Sequence, residues 1–134
     1  MLTKEDLREA RSIKVAIEGK AERLQQLRSL AESVTTQFSS TPGGGGDPQH
    51  MAKTIETIVD FSREIATDAA LLVERQRKIQ QAINKMDNHN CRTVLELYYL
   101  NGWRWDEVAR KMNFSERHVY RLHSEALRQY ERWQ

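Results

Sequence analysis

Apolar residues recur along the first part of the chain with the alternating spacing of three and four that predicts an amphipathic helix. One set of positions repeats every seven residues: Ala10, Ile17, Leu24, Ala31 and Phe38. A second set comprises Ile13, Leu27 and Val34, and Lys20 interrupts it. Thr3 followed by Asp6 resembles a capping box, which marks the start of a helix. The pattern predicts one helix of about 36 residues, or ~54 Å at ~1.5 Å per residue.

The same spacing returns after a break in the chain. The apolar positions of this second stretch are Met51, Ile55, Ile58, Ile65, Ala69, Leu72, Ile79, Ile83 and Met86, with Ser62 and Gln76 at interrupted positions. The break itself reads SSTPGGGGDP over Ser39–Pro48, and glycine and proline both end helices. Asp47 followed by Pro48 suits the start of the next helix. Residues 1–87 are therefore predicted to form an antiparallel helical hairpin with a Gly-rich loop at 39–47.

Some apolar residues lie outside the predicted seam of this hairpin. They are Ala21, Leu30, Phe61 and Val73. Self-association into a bundle would bury them, so we expect a homo-oligomer formed through the N-terminal hairpin. A lone hairpin with scattered apolar surface residues is the alternative, and such residues are common on protein surfaces.

Residues 88–134 predict three further helices. The run Thr93–Leu100 fits either a strand or a helix, but its apolar residues and Cys91 have helical spacing. Gly102 suits the position after a helix end. A short helix follows, with Trp105, Val108, Ala109 and Met112 on its inner face. The turn Asn113–Ser115, which ends in Ser115 as the expected N-cap, then leads into a last helix with apolar positions Val119, Leu122, Ala126, Leu127 and Tyr130. The chain is therefore predicted to be all-α, with a helix-turn-helix at its C-terminus.

Composition argues against secreted and membrane-spanning classes of protein. The chain has 134 residues, of which 39% are hydrophobic and 30% charged, and its net charge is +2. Cys91 is the one cysteine, so no intramolecular disulfide forms and we expect a cytoplasmic protein. No apolar run predicts a membrane span, and the N-terminus lacks the apolar core of a signal peptide.

The sequence predicts neither catalysis nor metal binding. The four histidines have no metal-ligand spacing with each other or with Cys91. The motifs of zinc proteases and serine hydrolases are absent. We therefore predict no catalytic residues, no metal and no cofactor.

The outward face of the last helix carries the candidate chemistry. Its residues are Glu116, Arg117, Tyr120, Arg121 and Arg128. Arginine recognises guanine O6 and N7, and glutamate accepts from cytosine N4. From Arg104 onward the chain has 7 basic and 5 acidic residues. A solvated charged face is the alternative interpretation of these charges, and the helix-turn-helix pattern favours DNA.

The stretch Val94–Tyr130 resembles region 4 of sigma-70-type factors, whose recognition helix closes on Ala-Leu-Arg, as at residues 126–128. The motifs Trp-x-Trp-x-Glu-Val-Ala and Ser-Glu-Arg-x-Val-Tyr-Arg are more similar to the sequences of ArpU/RinA-like regulators of phages and prophages in Gram-positive bacteria. The resemblance implies base contacts by Glu116, Arg117, Tyr120 and Arg121, with Ser115 and His118 near the phosphates. Arg128 lies further along the helix, where a phosphate contact is expected.

The chain departs from the sigma pattern in two places. Tyr120 stands where a basic or polar residue is usual, and Arg104 stands where Ser or Thr commonly caps the first helix of the motif. No segment corresponds to the promoter-melting region, so the chain is not expected to open promoters alone. The leading hypothesis is a phage-type transcriptional regulator in the bacterial host cytoplasm that binds double-stranded DNA and docks on a partner such as host RNA polymerase. A small terminase subunit and a structural helical interaction protein are the alternatives.

Overall fold

The structure is a computed structural model that describes residues 2–40 and 48–132, and the side chains of 2–33 and 48–132. Five α-helices lie in these ranges: α1 (Lys4–Ser40), α2 (Pro48–Ile83), α3 (His89–Leu95), α4 (Trp105–Met112) and α5 (Glu116–Arg132). A π-helical segment, Glu96–Leu100, continues α3. The described ranges contain no strand, which confirms the all-α prediction. None of the helices described is long and apolar enough to cross a bilayer.

The long helices begin where local chemistry predicts. The carboxylate of Asp6 accepts from the backbone N–H of Thr3 at 2.7 Å, and α1 starts at the next residue, Lys4. α2 starts at Pro48, where the missing N–H of proline costs nothing. α1 continues to Ser40, so Ser39 and Ser40 are helical rather than part of a loop. The rest of the predicted loop, residues 41–47, lies outside the described residues.

The described residues divide into two compact units. One contains those of Met1–Val15 and Ala70–Gln134, and the other those of Ala16–Ala69. This division differs from the boundary at 87/88 that the sequence suggests. The start of α1 and the end of α2 belong with the C-terminal helices because they share their core, in which Leu7, Ile79 and Ile83 are at most 1% exposed.

In the unit Ala16–Ala69, segments of α1 and α2 are joined by ion pairs and a cation–π contact. Lys20 Nζ lies 3.0 Å from the Asp68 carboxylate and 3.4 Å from that of Glu64. Further along α1, the Arg23 guanidinium lies 5.9 Å from the Phe61 ring centroid. Later residues of α1 thus contact earlier residues of α2, as in antiparallel segments.

One seam prediction is wrong. Ile55 is 51% exposed, whereas Met51, Thr54 and Ile58 are half-buried. A helix turns once in ~3.6 residues, so at this turn the position three residues after Met51, not four, lies inward. Leu30 is also exposed, as expected for a residue outside the seam.

Other predictions about the long helices hold in part. Ala21 and Val73 are exposed and Phe61 is half-buried, as expected for residues outside the seam. The seam residues Ala10, Leu24, Leu72 and Met86 are buried.

The C-terminal core starts at α3. Asn88 caps this helix by accepting from the backbone N–H of Cys91 at 3.1 Å, and Cys91 is fully buried. The following π-helical segment closes with a hydrogen bond from Asn101 N to Glu96 O at 2.9 Å. Gln76 of α2 donates to the Leu100 carbonyl at 2.8 Å. The helical prediction for Thr93–Leu100 is therefore confirmed, with a wider last turn.

Candidate nucleic-acid interface

The chain turns from the π-helical segment into α4 through Gly102, whose φ of 75° favours glycine. Arg104 precedes α4, and its backbone N–H donates to the Glu107 carboxylate at 3.1 Å. Its guanidinium meets the Asp106 carboxylate through two hydrogen bonds of 3.1 and 3.2 Å. This contact lowers the pKa of Asp106. The Arg104 side chain thus makes no capping hydrogen bond to the backbone of α4. Instead, the carboxylates of Asp106 and Glu107 in the first turn accept hydrogen bonds from its guanidinium and its backbone N–H, respectively.

A three-residue turn joins α4 to α5. Asn113 ends α4 in the left-handed conformation at φ 58°, which asparagine tolerates better than most residues. Phe114 N donates to Ala109 O at 3.0 Å. Ser115 Oγ then accepts from the backbone N–H of His118 at 3.1 Å. The predicted serine cap of the last helix is confirmed.

A small apolar cluster holds α4 and α5 together. Its buried members are Val94, Val108, Ala109 and Val119. Val119 is fully buried, and Ala109 is 5% exposed, as expected for residues on the inner faces of the two helices. Trp103, Trp105, Met112, Phe114 and Leu122 pack around the cluster. Trp105 therefore lies on the inner face, as predicted.

The opposite face of α5 is open to solvent. Arg117, Tyr120, Arg121 and Arg128 line one shallow surface along it. Arg117 and Arg121 are exposed, and the side chain of neither has a hydrogen bond or an ion pair with any residue that the structure describes. Four residues apart, they lie on the same side of the helix. Two unpaired cations therefore face solvent one turn apart.

The remaining predicted interface residues differ in their exposure and in the side chains that they contact. Glu116 is exposed and is the first residue of α5. His118 is half-buried, with its ring edge-on to Phe114 at 4.5 Å. Arg128 binds Glu125 at 2.9 Å, so its charge is already partly neutralised. Sequence reasoning missed Lys111, an exposed cation near the end of α4 without a partner among the described residues. Lys111 follows Arg110 in the last turn of α4, and this pair of basic residues is the sequence feature that could have indicated it.

An aromatic stack lies behind this surface. The Trp105 ring stacks on the Tyr98 ring with centroids 3.8 Å apart and planes at 11°. The Arg11 guanidinium lies 3.9 Å from the Tyr98 centroid, and its Nη1 donates to the carbonyls of Tyr98 and Trp103 at 2.8 and 3.0 Å. On the other side, Trp105 meets Tyr120 edge-on at 5.5 Å. A residue of α1 thus supports the rings behind the candidate interface.

Buried titratable groups near the stack are kept neutral. Tyr99 Oη and His123 Nε2 are 2.7 Å apart. Burial and the nearby charges of Arg8 and Lys4 lower the pKa of His123 to about 4. Burial raises the pKa of the fully buried Cys91 thiol. Within residues 2–40 and 48–132, no cluster of three or more His, Cys, Asp or Glu has the arrangement of a metal site.

One family model matches residues 34–131, and it is described as DUF1492, a protein of unknown function. The chain belongs to the DUF1492 family. The segment shared with DUF1492 contains α2 to α4, α5 up to Glu131 and every predicted interface residue, but not Arg11. Comparison with curated proteins and with solved structures found no match.

Proposed function

We propose that this DUF1492 chain is a sequence-specific DNA-binding regulator of phage type. In this proposal α4 and α5 act as a helix-turn-helix, and α5 enters the major groove of double-stranded DNA. The turn of three residues between the helices has the length that this motif requires. The observation that carries the proposal is the pair Arg117 and Arg121, exposed and unpaired in the first two turns of α5.

The basic side chains of this face differ in how readily they can contact DNA. Arg117 and Arg121 have no ion pair to break among the described residues, so their donors are available for guanine O6 and N7. Lys111 is likewise available for phosphate. Arg128 must exchange Glu125 for a phosphate, and its contribution is therefore smaller than that of an unpaired arginine.

The experiment selects binding sites from random duplexes and then compares Arg117→Ala, Arg121→Ala and Arg128→Ala on matched and mismatched DNA. Loss of Arg117 or Arg121 should relax specificity at one base pair, by ~1–3 kcal/mol. Loss of Arg128 should weaken all sequences alike and reduce the salt slope by about 1. Arg110→Ala is the control, because this exposed arginine of α4 lies beside Asp106.

Two results would overturn this assignment. Equal losses for all three variants on every sequence would reduce α5 to a nonspecific basic surface. The absence of duplex binding by the wild type, even at low salt, would end the DNA-binding proposal and favour a structural helical interaction protein.

Exposed apolar residues support self-association through the N-terminal helices. Within the unit Ala16–Ala69, Leu30 and Ile55 are each 51% exposed and Val59 is 42% exposed. A Val59→Gln variant should lower the mass measured by sedimentation, because it removes apolar contact area without disturbing a buried position. A wild-type monomer at micromolar concentration would refute self-association, and a ring of eight or more copies would favour a small terminase subunit. Docking on host RNA polymerase remains a prediction from the resemblance alone.

A further inference from the structure

Tyr120 is an apolar exception on a charged surface. It is 45% exposed, and no other large apolar side chain of α4 or α5 is exposed to that degree. Arg117 precedes it by nearly one turn, and Arg121 follows it directly. Tyr120 therefore presents an aromatic ring beside two cations whose side chains have no partner among the described residues.

This ring is supported from behind. Trp105 meets it edge-on, with planes at 81°, and Trp105 is itself stacked on Tyr98. Arg11 and Trp105 each lie within 4 Å of the Tyr98 ring centroid, so they occupy its opposite faces. A ring held by a packed stack loses little conformational freedom when it meets a ligand.

The hydroxyl group of Tyr120 is engaged within α5. It donates to the Glu116 carboxylate across 3.5 Å, one turn earlier on the same side of the helix. This contact is long for an O–H···O hydrogen bond, so the Tyr120→Phe variant is needed to separate the contribution of the hydroxyl from that of the apolar ring.

We infer that Tyr120 reads the 5-methyl group of a thymine in the major groove, an inference that rests on the proposed function. The thymine methyl is the apolar group that base pairs display in that groove, and apolar side chains recognise it by contact. Arg117 and Arg121, which lie together on one side of the ring, select guanine. The recognised site then contains a thymine next to a guanine.

The test replaces each thymine of a selected duplex by deoxyuridine, one position at a time. This change removes the methyl group and leaves base pairing intact. The wild type should lose about fourfold in affinity at one thymine, the size expected for burial of one methyl group. Tyr120→Phe keeps the ring and should retain this sensitivity. Tyr120→Ala should bind the thymine duplex about as weakly as the wild type binds the deoxyuridine duplex, and it should no longer distinguish the two.

The outcomes separate this inference from the proposed function. Tight duplex binding by the wild type with no loss at any deoxyuridine would overturn the thymine contact and leave DNA binding intact. A Tyr120→Ala variant that still distinguishes thymine from deoxyuridine would assign the contact to another residue. Tighter binding to single-stranded than to duplex DNA would indicate stacking on an unpaired base and also overturn the inference. If the wild type binds no duplex, both proposals fail. Thermal unfolding monitored by circular dichroism confirms that each variant is folded.

Discussion

Replacing Trp105 by alanine tests whether the stack behind α5 holds the C-terminal helices together. Trp105 is half-buried, packs against the core cluster, stacks on Tyr98 at 3.8 Å and meets His123 edge-on at 4.6 Å. Tryptophan-to-alanine changes in a core cost ~3–5 kcal/mol. Since Trp105 keeps part of its surface in water, we expect a loss near the lower end, about 3 kcal/mol of unfolding free energy.

The assay is urea unfolding followed by far-UV circular dichroism, which does not depend on the fluorescence of the remaining tryptophans. Trp105→Phe is the matched control, because it keeps an aromatic ring against Tyr98 and should lose only about 1 kcal/mol. If Trp105→Ala unfolds within about 1 kcal/mol of the wild type, the stack does not stabilise these helices. If that variant is fully stable but loses more DNA affinity than Tyr120→Ala, Trp105 faces the DNA and the assignment of helix faces is inverted.

Two further changes probe the same unit. His123 should make stability fall as the pH drops from ~6.5 to ~4, by about 2–3 kcal/mol, because its lowered pKa of about 4 lets the unfolded chain bind a proton that the folded chain excludes. Urea unfolding at pH 7, 5 and 4 measures this loss, and an equal loss in His123→Gln would assign it to other groups. Arg11→Ala should cost about 1.5–3 kcal/mol, since it removes charged donors from the carbonyls of Tyr98 and Trp103. Arg8→Ala, on the same helix, should cost at most about 1 kcal/mol because its ion pair is exposed; equal losses in the two variants would contradict a specific role for Arg11.

Features that depend on neighbours along the chain could be predicted from the sequence. Asp6 engages the start of α1, Pro48 begins α2, Gly102 adopts positive φ, and Ser115 caps α5. Each involves atoms within a few residues of one another, so the residue types alone determine the outcome. The 3.6-residue period likewise predicted that Val119 lies inward, because periodicity identifies the buried face of a helix.

The tertiary structure decided which faces meet. Arg11 supports Tyr98 across 87 positions of the chain, and no periodicity encodes that pairing. In the sequence, Gln76 is a polar residue that interrupts an apolar seam. In the structure, its side chain donates a hydrogen bond to the carbonyl of Leu100, the last residue of the π-helical segment. Ile55 fits the heptad by type, but the inward place at its turn belongs to Thr54. A sequence pattern specifies which side of each helix avoids water, whereas the partner on that side depends on how distant segments share one core.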